Sequence, residues 1–154
     1  GLYEPDKKYL VMAAYLHDVG MFIYNRAHHK HTEYILQFLN IAGLNYDEKK
    51  IIATVARYHR KAYPKVQHPV YGSLAGDKKV LVQKLSALLR IANALDCTHK
   101  QKIKSLEMDI ADDFTFNIIV NTKSNVLLEK AEFAEKKKLF ENITESNINL
   151  IVRE

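Results

Sequence analysis

The chain has 154 residues, 47% of them hydrophobic and 27% charged, and carries a formal net charge of +5. That composition excludes wholesale disorder. The single cysteine, Cys97, excludes an internal disulfide framework and a cysteine-built zinc site. No apolar run reaches the ~18 residues of a membrane span, and the opening GLYEPDKK lacks the basic-then-apolar layout of a signal peptide. A cytoplasmic protein that does not enter a membrane is expected.

Charge is uneven along the chain. Residues 1–48 carry 4 basic and 6 acidic side chains, residues 49–104 carry 13 and 2, and residues 105–154 carry 6 and 10. The middle segment is thus net +11, a field that survives screening at a Debye length of ~8 Å. A solvated lysine surface balanced by acidic neighbours accounts for it. So does a face that binds polyphosphate, a polyphosphorylated nucleotide or nucleic acid.

Apolar residues recur at helical spacing up to about residue 103. Residues 5–19 carry Leu10, Ala13, Ala14 and Leu16, and Gly20 is placed to end that helix. Residues 21–28 read as a loop. Residues 29–42 present Tyr34, Ile35, Phe38, Leu39 and Ala42 as the packed face of a second helix. Asp47 is the expected N-cap of a third, on which Ile51, Ile52, Val55 and Tyr58 share a face. Pro64, Pro69, Gly72 and Gly76 mark residues 61–76 as a loop with one turn of helix. Asp77 caps a long helix over residues 77–97 with Leu81, Leu85, Leu88, Leu89, Ala92 and Leu95.

After residue 103 the period shifts to two. Ile103, Leu106, Met108 and Ile110 make one run, and Phe114, Phe116, Ile118 and Val120 alternate in another. Asp112-Asp113 between them predicts a hairpin turn. Residues 126–142 return to helical spacing, and Ile148, Leu150 and Val152 form a last strand. The expected fold class is α+β: a mostly α domain over residues 1–100, then a small strand-strand-helix-strand lobe over residues 103–154, joined through residues 98–102. A lobe of about 50 residues has a meagre core by itself. Phe114, Phe116 and Phe140 read as packing residues, Lys136, Lys137 and Lys138 as a solvated helix face, and Cys97 as structural. His68 and His99 have no assigned role.

The side chains that could carry chemistry stand at helix ends. His17-Asp18 closes the first helix, and an imidazole beside a carboxylate is a usual pair for a transition metal. His28, His29 and His31 open the second helix, and His59 ends the third inside Arg57-Tyr58-His59-Arg60-Lys61. Asp96 lies in the last turn of the long helix, where the helix dipole disfavours a carboxylate. If buried, it requires a cation or donors. Hydrogen bonding among these groups is the alternative to a metal.

The series HDVG, HKHTEYIL, RYHRK and RIANALD, in this order, resembles an HD-superfamily helical domain. More closely it is similar to the C-terminal half of the exopolyphosphatase / guanosine pentaphosphate phosphohydrolase family, over residues 9–153. The resemblance implies an HD-like helical domain followed by the small lobe. It implies that phosphoanhydride hydrolysis belongs to N-terminal actin-like lobes, so that this chain alone is inactive; no Gly-rich phosphate loop occurs among its 5 glycines. It further implies a homodimer and a polyphosphate-facing set of His29, Lys30, His31, Arg57, His59, Arg60 and Lys61. Partners implied are polyphosphate or a polyphosphorylated nucleotide, and the actin-like lobes themselves. A nucleic-acid partner is suggested by charge alone and no recognised motif supports it. His17, Asp18, His31, His59 and Asp96 would hold a divalent metal, Mg or Mn. Metal-dependent HD enzymes carry a further His on a helix ahead of the His-Asp pair, and none occurs among residues 1–16. A self-standing HD-type metal-dependent phosphohydrolase is the alternative function. No catalytic residue is assigned.

Overall fold

The computed structural model describes residues 2–153. Helices and a three-stranded sheet make a mixed α+β protein. In chain order these are α1 (Glu4–Leu16), a 3₁₀ turn (Val19–Phe22), α2 (His28–Phe38), α3 (Tyr46–Arg57), the short α4 (Pro69–Gly72) and α5 (Gly76–Leu95). Then follow β1 (Ser105–Asp112), β2 (Thr115–Asn121), α6 (Leu127–Lys136), α7 (Lys138–Thr144) and β3 (Asn147–Arg153). Two compact units divide inside α5, at Gly1–Leu89 and Arg90–Glu154, ahead of residues 98–102.

The first unit is helical. Its core gathers Ala13 of α1, Leu36 of α2, Ile51, Ile52 and Val55 of α3, Tyr71 and Leu74, and Val82, Leu85 and Leu89 of α5. The α3 residues predicted from spacing are buried, with Ile51, Ile52, Val55 and Tyr58 each at most 1% exposed, and Ala53, Thr54 and Ala56 are buried beside them. Its N-cap is Asn45, not Asp47. The Asn45 side chain accepts from the Glu48 N–H at 3.0 Å, and Glu48 returns a carboxylate to the Asn45 N–H at 2.9 Å, a reciprocal capping box. Glu48 also takes the Lys8 ammonium and, at 3.1 Å, the Tyr9 hydroxyl, so one carboxylate ties α1 to the start of α3.

The α2 face runs against the sequence reading. Tyr34 and Phe38 are 65% and 68% exposed and pair with each other, while Thr32, Glu33 and Leu36 are buried. A polar face can be buried here because its groups are hydrogen-bonded or ion-paired.

The second unit holds the sheet, in the order β1-β2-β3. β1 and β2 form the expected hairpin, with the Asp112 carboxylate accepting from the Phe114 N–H at 2.8 Å at the turn. β3 returns parallel to β2 after α6 and α7, as a helical crossover permits. Ile118, Val120 and Ile148 pack with Phe133 and with Ile91, Ala94 and Leu95, so the last turns of α5 share the core of this unit. Phe116 and Phe140 meet edge to face at 5.9 Å, but Phe114 is 63% exposed at the hairpin tip. Of the lysine run only Lys138, 2.8 Å from Glu135, is on a solvated face. Lys136 is buried and donates to Asn93 at 3.0 Å, and Lys137 bridges Glu141 and the Ile148 carbonyl where α6 gives way to α7.

Candidate functional site

Three helix ends of the first unit bring imidazoles together. α1 stops at Leu16, and His17 and Asp18 lead into the 3₁₀ turn. The turn is fastened to α2 by Thr32, whose hydroxyl donates to the His17 carbonyl at 2.8 Å and accepts from the Gly20 N–H at 3.0 Å. α2 enters from Ala27, which sits in the left-handed region at φ 59°, and its first residue, His28, is buried. His59 follows the end of α3 and is 2% exposed.

The nitrogen chemistry is the same in all three. His17 Nδ1 lies 2.7 Å from the Ala14 carbonyl, His28 Nδ1 3.0 Å from the Asn25 carbonyl, and His59 Nδ1 2.6 Å from the Ala56 carbonyl. A carbonyl only accepts, so each Nδ1 carries the proton and donates. Nε2 is the ring nitrogen left to each of them, a donor where the ring is protonated and a lone pair where it is neutral, and all three Nε2 atoms face Asp18. His28 Nε2 is 3.1 Å and His59 Nε2 3.5 Å from Asp18 Oδ1, and His17 Nε2 is 3.3 Å from Oδ2. His28 Nε2 and His59 Nε2 are 3.2 Å apart, with their rings stacked. At that separation a proton on one of the two nitrogens makes a hydrogen bond between them, and a cation can take its place.

Electrostatics sharpen this picture. Hydrogen bonding by His17, then the charges of the surrounding imidazoles, hold the Asp18 carboxyl down at about 2 against the cost of its burial. Burial above all pushes His59 down to about 3, so its ring stays neutral. Ligand atoms of His17, Asp18 and His59 lie within 4.8 Å of one another. Imidazole nitrogens anchored through the opposite N–H, beside one carboxylate, make a donor set suited to a divalent transition ion.

A cationic set borders the imidazoles. His29 is pushed down to about 4, first by burial and then by the charges of Arg57, His28, Arg60 and Lys30. His68 is lowered by burial and then by Arg57, Lys65 and Lys30, and its Nδ1 lies 2.6 Å from the Tyr58 hydroxyl. Side chains from the start of α2 and the end of α3 therefore act on common neighbours. Lys30, Arg60, Lys61 and Lys65 are exposed. Arg57 differs: it is paired with the buried carboxylate of Glu33 across α2 and α3.

Of the sequence-derived sets, His17, Asp18 and His59 come together, and His29, Lys30, Arg57 and Arg60 lie beside them. His31 is half-buried on α2 and makes no bond to the cluster. Asp96 belongs to the second unit, where it accepts from the Gln101 N–H at 2.8 Å. His28 and Lys65 fall outside those sets. The left-handed residue that turns His28 inward leaves no periodic signal, whereas Lys65 stood only in the net charge of its segment.

The sequence profile described as Ppx/GppA phosphatase, domain III, matches residues 2–144. Two relatives are each named guanosine-5′-triphosphate,3′-diphosphate pyrophosphatase. The protein of Pseudoalteromonas translucida (strain TAC 125) is 34% identical over 118 residues, which is 77% of this chain and 21% of the relative. That of Pseudoalteromonas atlantica (strain T6c / ATCC BAA-1087) is 29% identical over 94 residues, 61% of this chain and 18% of the relative. The chain thus spans about a fifth of the length of these relatives. With the profile covering nearly all of its residues, this chain belongs to the Ppx/GppA phosphatase family, as domain III.

Proposed function

We propose that this domain lays a chain of phosphates against the exposed cations at the start of α2 and the end of α3, while phosphoanhydride hydrolysis takes place on N-terminal actin-like lobes of the parent protein, a cytoplasmic homodimer. The ligand is inorganic polyphosphate or a polyphosphorylated guanosine nucleotide, the latter favoured by the name the relatives carry. One observation carries the reading: Lys30 on α2 and Arg60 just beyond α3, both exposed, act together on His29 beside the imidazole cluster. Guanidinium forks match phosphate oxygens and lysines add point charge.

Titration with labelled polyphosphate tests this. By analogy with counterion release, three phosphate contacts lower affinity about 20-fold between 50 and 200 mM salt, at a slope of about −0.7 per contact. Lys30→Ala with Arg60→Ala should remove most of the binding, and Lys100→Ala with Lys123→Ala, both exposed elsewhere, should not. Equal losses from the two pairs would mean diffuse attraction and no site.

The facing nitrogens of His28 and His59 favour a second element, a divalent cation such as Mg or Mn held by His17, Asp18, His28 and His59. When bound, such an ion supplies Lewis acidity and a more acidic water. In that alternative reading the domain is a metal-dependent phosphohydrolase by itself. His17, Asp18, His28 and His59 would hold the ion, and Arg60 and Lys30 would neutralise charge on phosphate oxygens. Elemental analysis of the purified chain and a hydrolysis assay with added Mn separate the readings. Turnover by this chain alone supports the second, and binding without turnover supports the first.

A further inference from the structure

Within the second unit, β1 is the edge of the sheet, and among the described residues its only strand neighbour is β2. All eight of its residues are exposed. Register places Leu106 opposite Val120, Met108 opposite Ile118 and Ile110 opposite Phe116. Directly paired residues share a face, so these three point to the same side as the buried core. Yet Leu106, Met108 and Ile110 are 53%, 56% and 68% exposed, while Val120 and Ile118 beside them are 0% and 5%. The core covers β2 and stops short of β1. Glu107 and Asp109 project from the opposite face.

Edge strands are commonly blunted by lysine, proline or a bulge. Between Ser105 and Ile110 there is no lysine and no proline, and the register shifts only beyond Ile110. Residues 105–113 hold four acidic side chains and no basic one. That charge identifies the occupant. A second copy of β1 lying antiparallel would bring Glu107 and Asp109 toward the same residues of its mate, and like charges across a strand pair repel.

We propose that β1 is completed by an extended segment of a partner in which apolar and basic residues alternate, its apolar side chains covering Leu106, Met108 and Ile110 and its lysines or arginines facing Glu107 and Asp109. Backbone hydrogen bonds give affinity and the alternating side chains give specificity, as in other strand additions. This is independent of the phosphate-binding reading, which concerns the other unit.

The test uses this chain and three labelled octapeptides followed by fluorescence anisotropy. One alternates Lys and Val, one alternates Glu and Val, and one is the Lys–Val peptide with proline at two central positions. The Lys–Val peptide should bind at least tenfold more tightly than either of the others. Met108→Lys should weaken it about tenfold, and Glu107→Lys with Asp109→Lys should shift preference to the Glu–Val peptide. Both variants change exposed positions, and circular dichroism verifies that they fold. Equal binding of the proline peptide would reduce the interaction to charge alone and overturn the proposal. So would binding indifferent to Met108→Lys, or sedimentation showing that the free chain self-associates through β1.

Discussion

Gly20→Ala tests whether the imidazole cluster depends on one close approach. A Cβ at Gly20 would stand 2.1 Å from the His28 carbonyl oxygen, 2.4 Å from the Thr32 nitrogen and 2.8 Å from the Thr32 hydroxyl. Ordinary contact begins at 3.4 Å, so the first turn of α2 would have to retreat by about 1.3 Å, and two of the three clashing atoms are backbone that no rotamer change relieves. Gly20 is not among the positive-φ residues. It is therefore required for space and not for an unusual backbone conformation.

Retreat of α2 breaks both bonds at Thr32, each worth about 1 kcal/mol, and overpacking adds about 1–3 kcal/mol. The total is about 3–5 kcal/mol. At about 4–8 °C per kcal/mol for a domain of this size, the helical unit should melt at least ~12 °C lower by circular dichroism. The His28 imidazole should also lose its contact with Asp18, visible as changed imidazole resonances. Gly76→Ala is the control, because nothing lies within 4 Å of a Cβ there. It should leave stability unchanged or raise it by up to about 1 kcal/mol. A Gly20→Ala melting point within ~3 °C of the parent would refute the packing argument.

Glu33→Gln should cost about 3 kcal/mol, since it strands the Arg57 guanidinium, whose side chain is 12% exposed, whereas Glu33→Leu with Arg57→Met should recover most of that loss; urea unfolding of the three chains measures both. Glu48 is held at about 2 by the Lys8 ammonium and then by the Asn45 N–H, below its ordinary 4.5. Its folded-state preference for the charged form is therefore fully present above pH 4.5 and lost as pH falls through 2. Glu48→Gln should flatten the acid limb of a stability-versus-pH curve in that window, and an unchanged limb would remove Glu48 from the account.

How much the sequence disclosed depended on whether a residue obeyed a period. The buried apolar residues of α3 and the Ile118 and Val120 face of β2 were legible from spacing, although burial is wider than one face, taking in Ala53, Thr54 and Ala56 of α3 and Ile119 of β2. The hairpin turn falls one residue later than read, on Asp113-Phe114. α2 misled because its apolar residues Tyr34 and Phe38 lie outward and its buried face sets Thr32 and Glu33 beside Leu36. Hydrophobicity cannot announce a face whose burial is secured by Arg57 and by the Gly20 turn. The site followed the same rule. His17-Asp18 and His59 stood out as chemical residues at helix ends. His28 could not be told from His29 or His31, because the choice among three neighbouring histidines was made by the left-handed Ala27. Arg57 looked like a free phosphate ligand until Glu33 was seen against it.

The imidazole cluster and the cationic face are energetically linked through charge. Asp18 stays ionised and the His59 ring neutral, so without an ion the cluster turns a carboxylate toward a phosphate chain approaching Lys30 and Arg60. A divalent ion on His17, Asp18, His28 and His59 would bring two positive charges to the same spot. The sign of the local field would then agree with that of the cations beside it. Binding free energies are reciprocal, so an ion that tightens polyphosphate binding by some factor must itself be held more tightly by that factor when polyphosphate is present. The measurement is polyphosphate affinity of Mn-loaded chain, with excess ion removed, against chain stripped by chelator. A five- to tenfold gain on loading is expected, corresponding to about 1–1.4 kcal/mol. The substitution His59→Ala should abolish that gain and leave affinity in chelator within twofold, because the exposed cations are untouched. Equal affinity with and without Mn in the parent chain, at a demonstrated occupancy of one ion, would disconnect the two features and leave the histidines a structural role only.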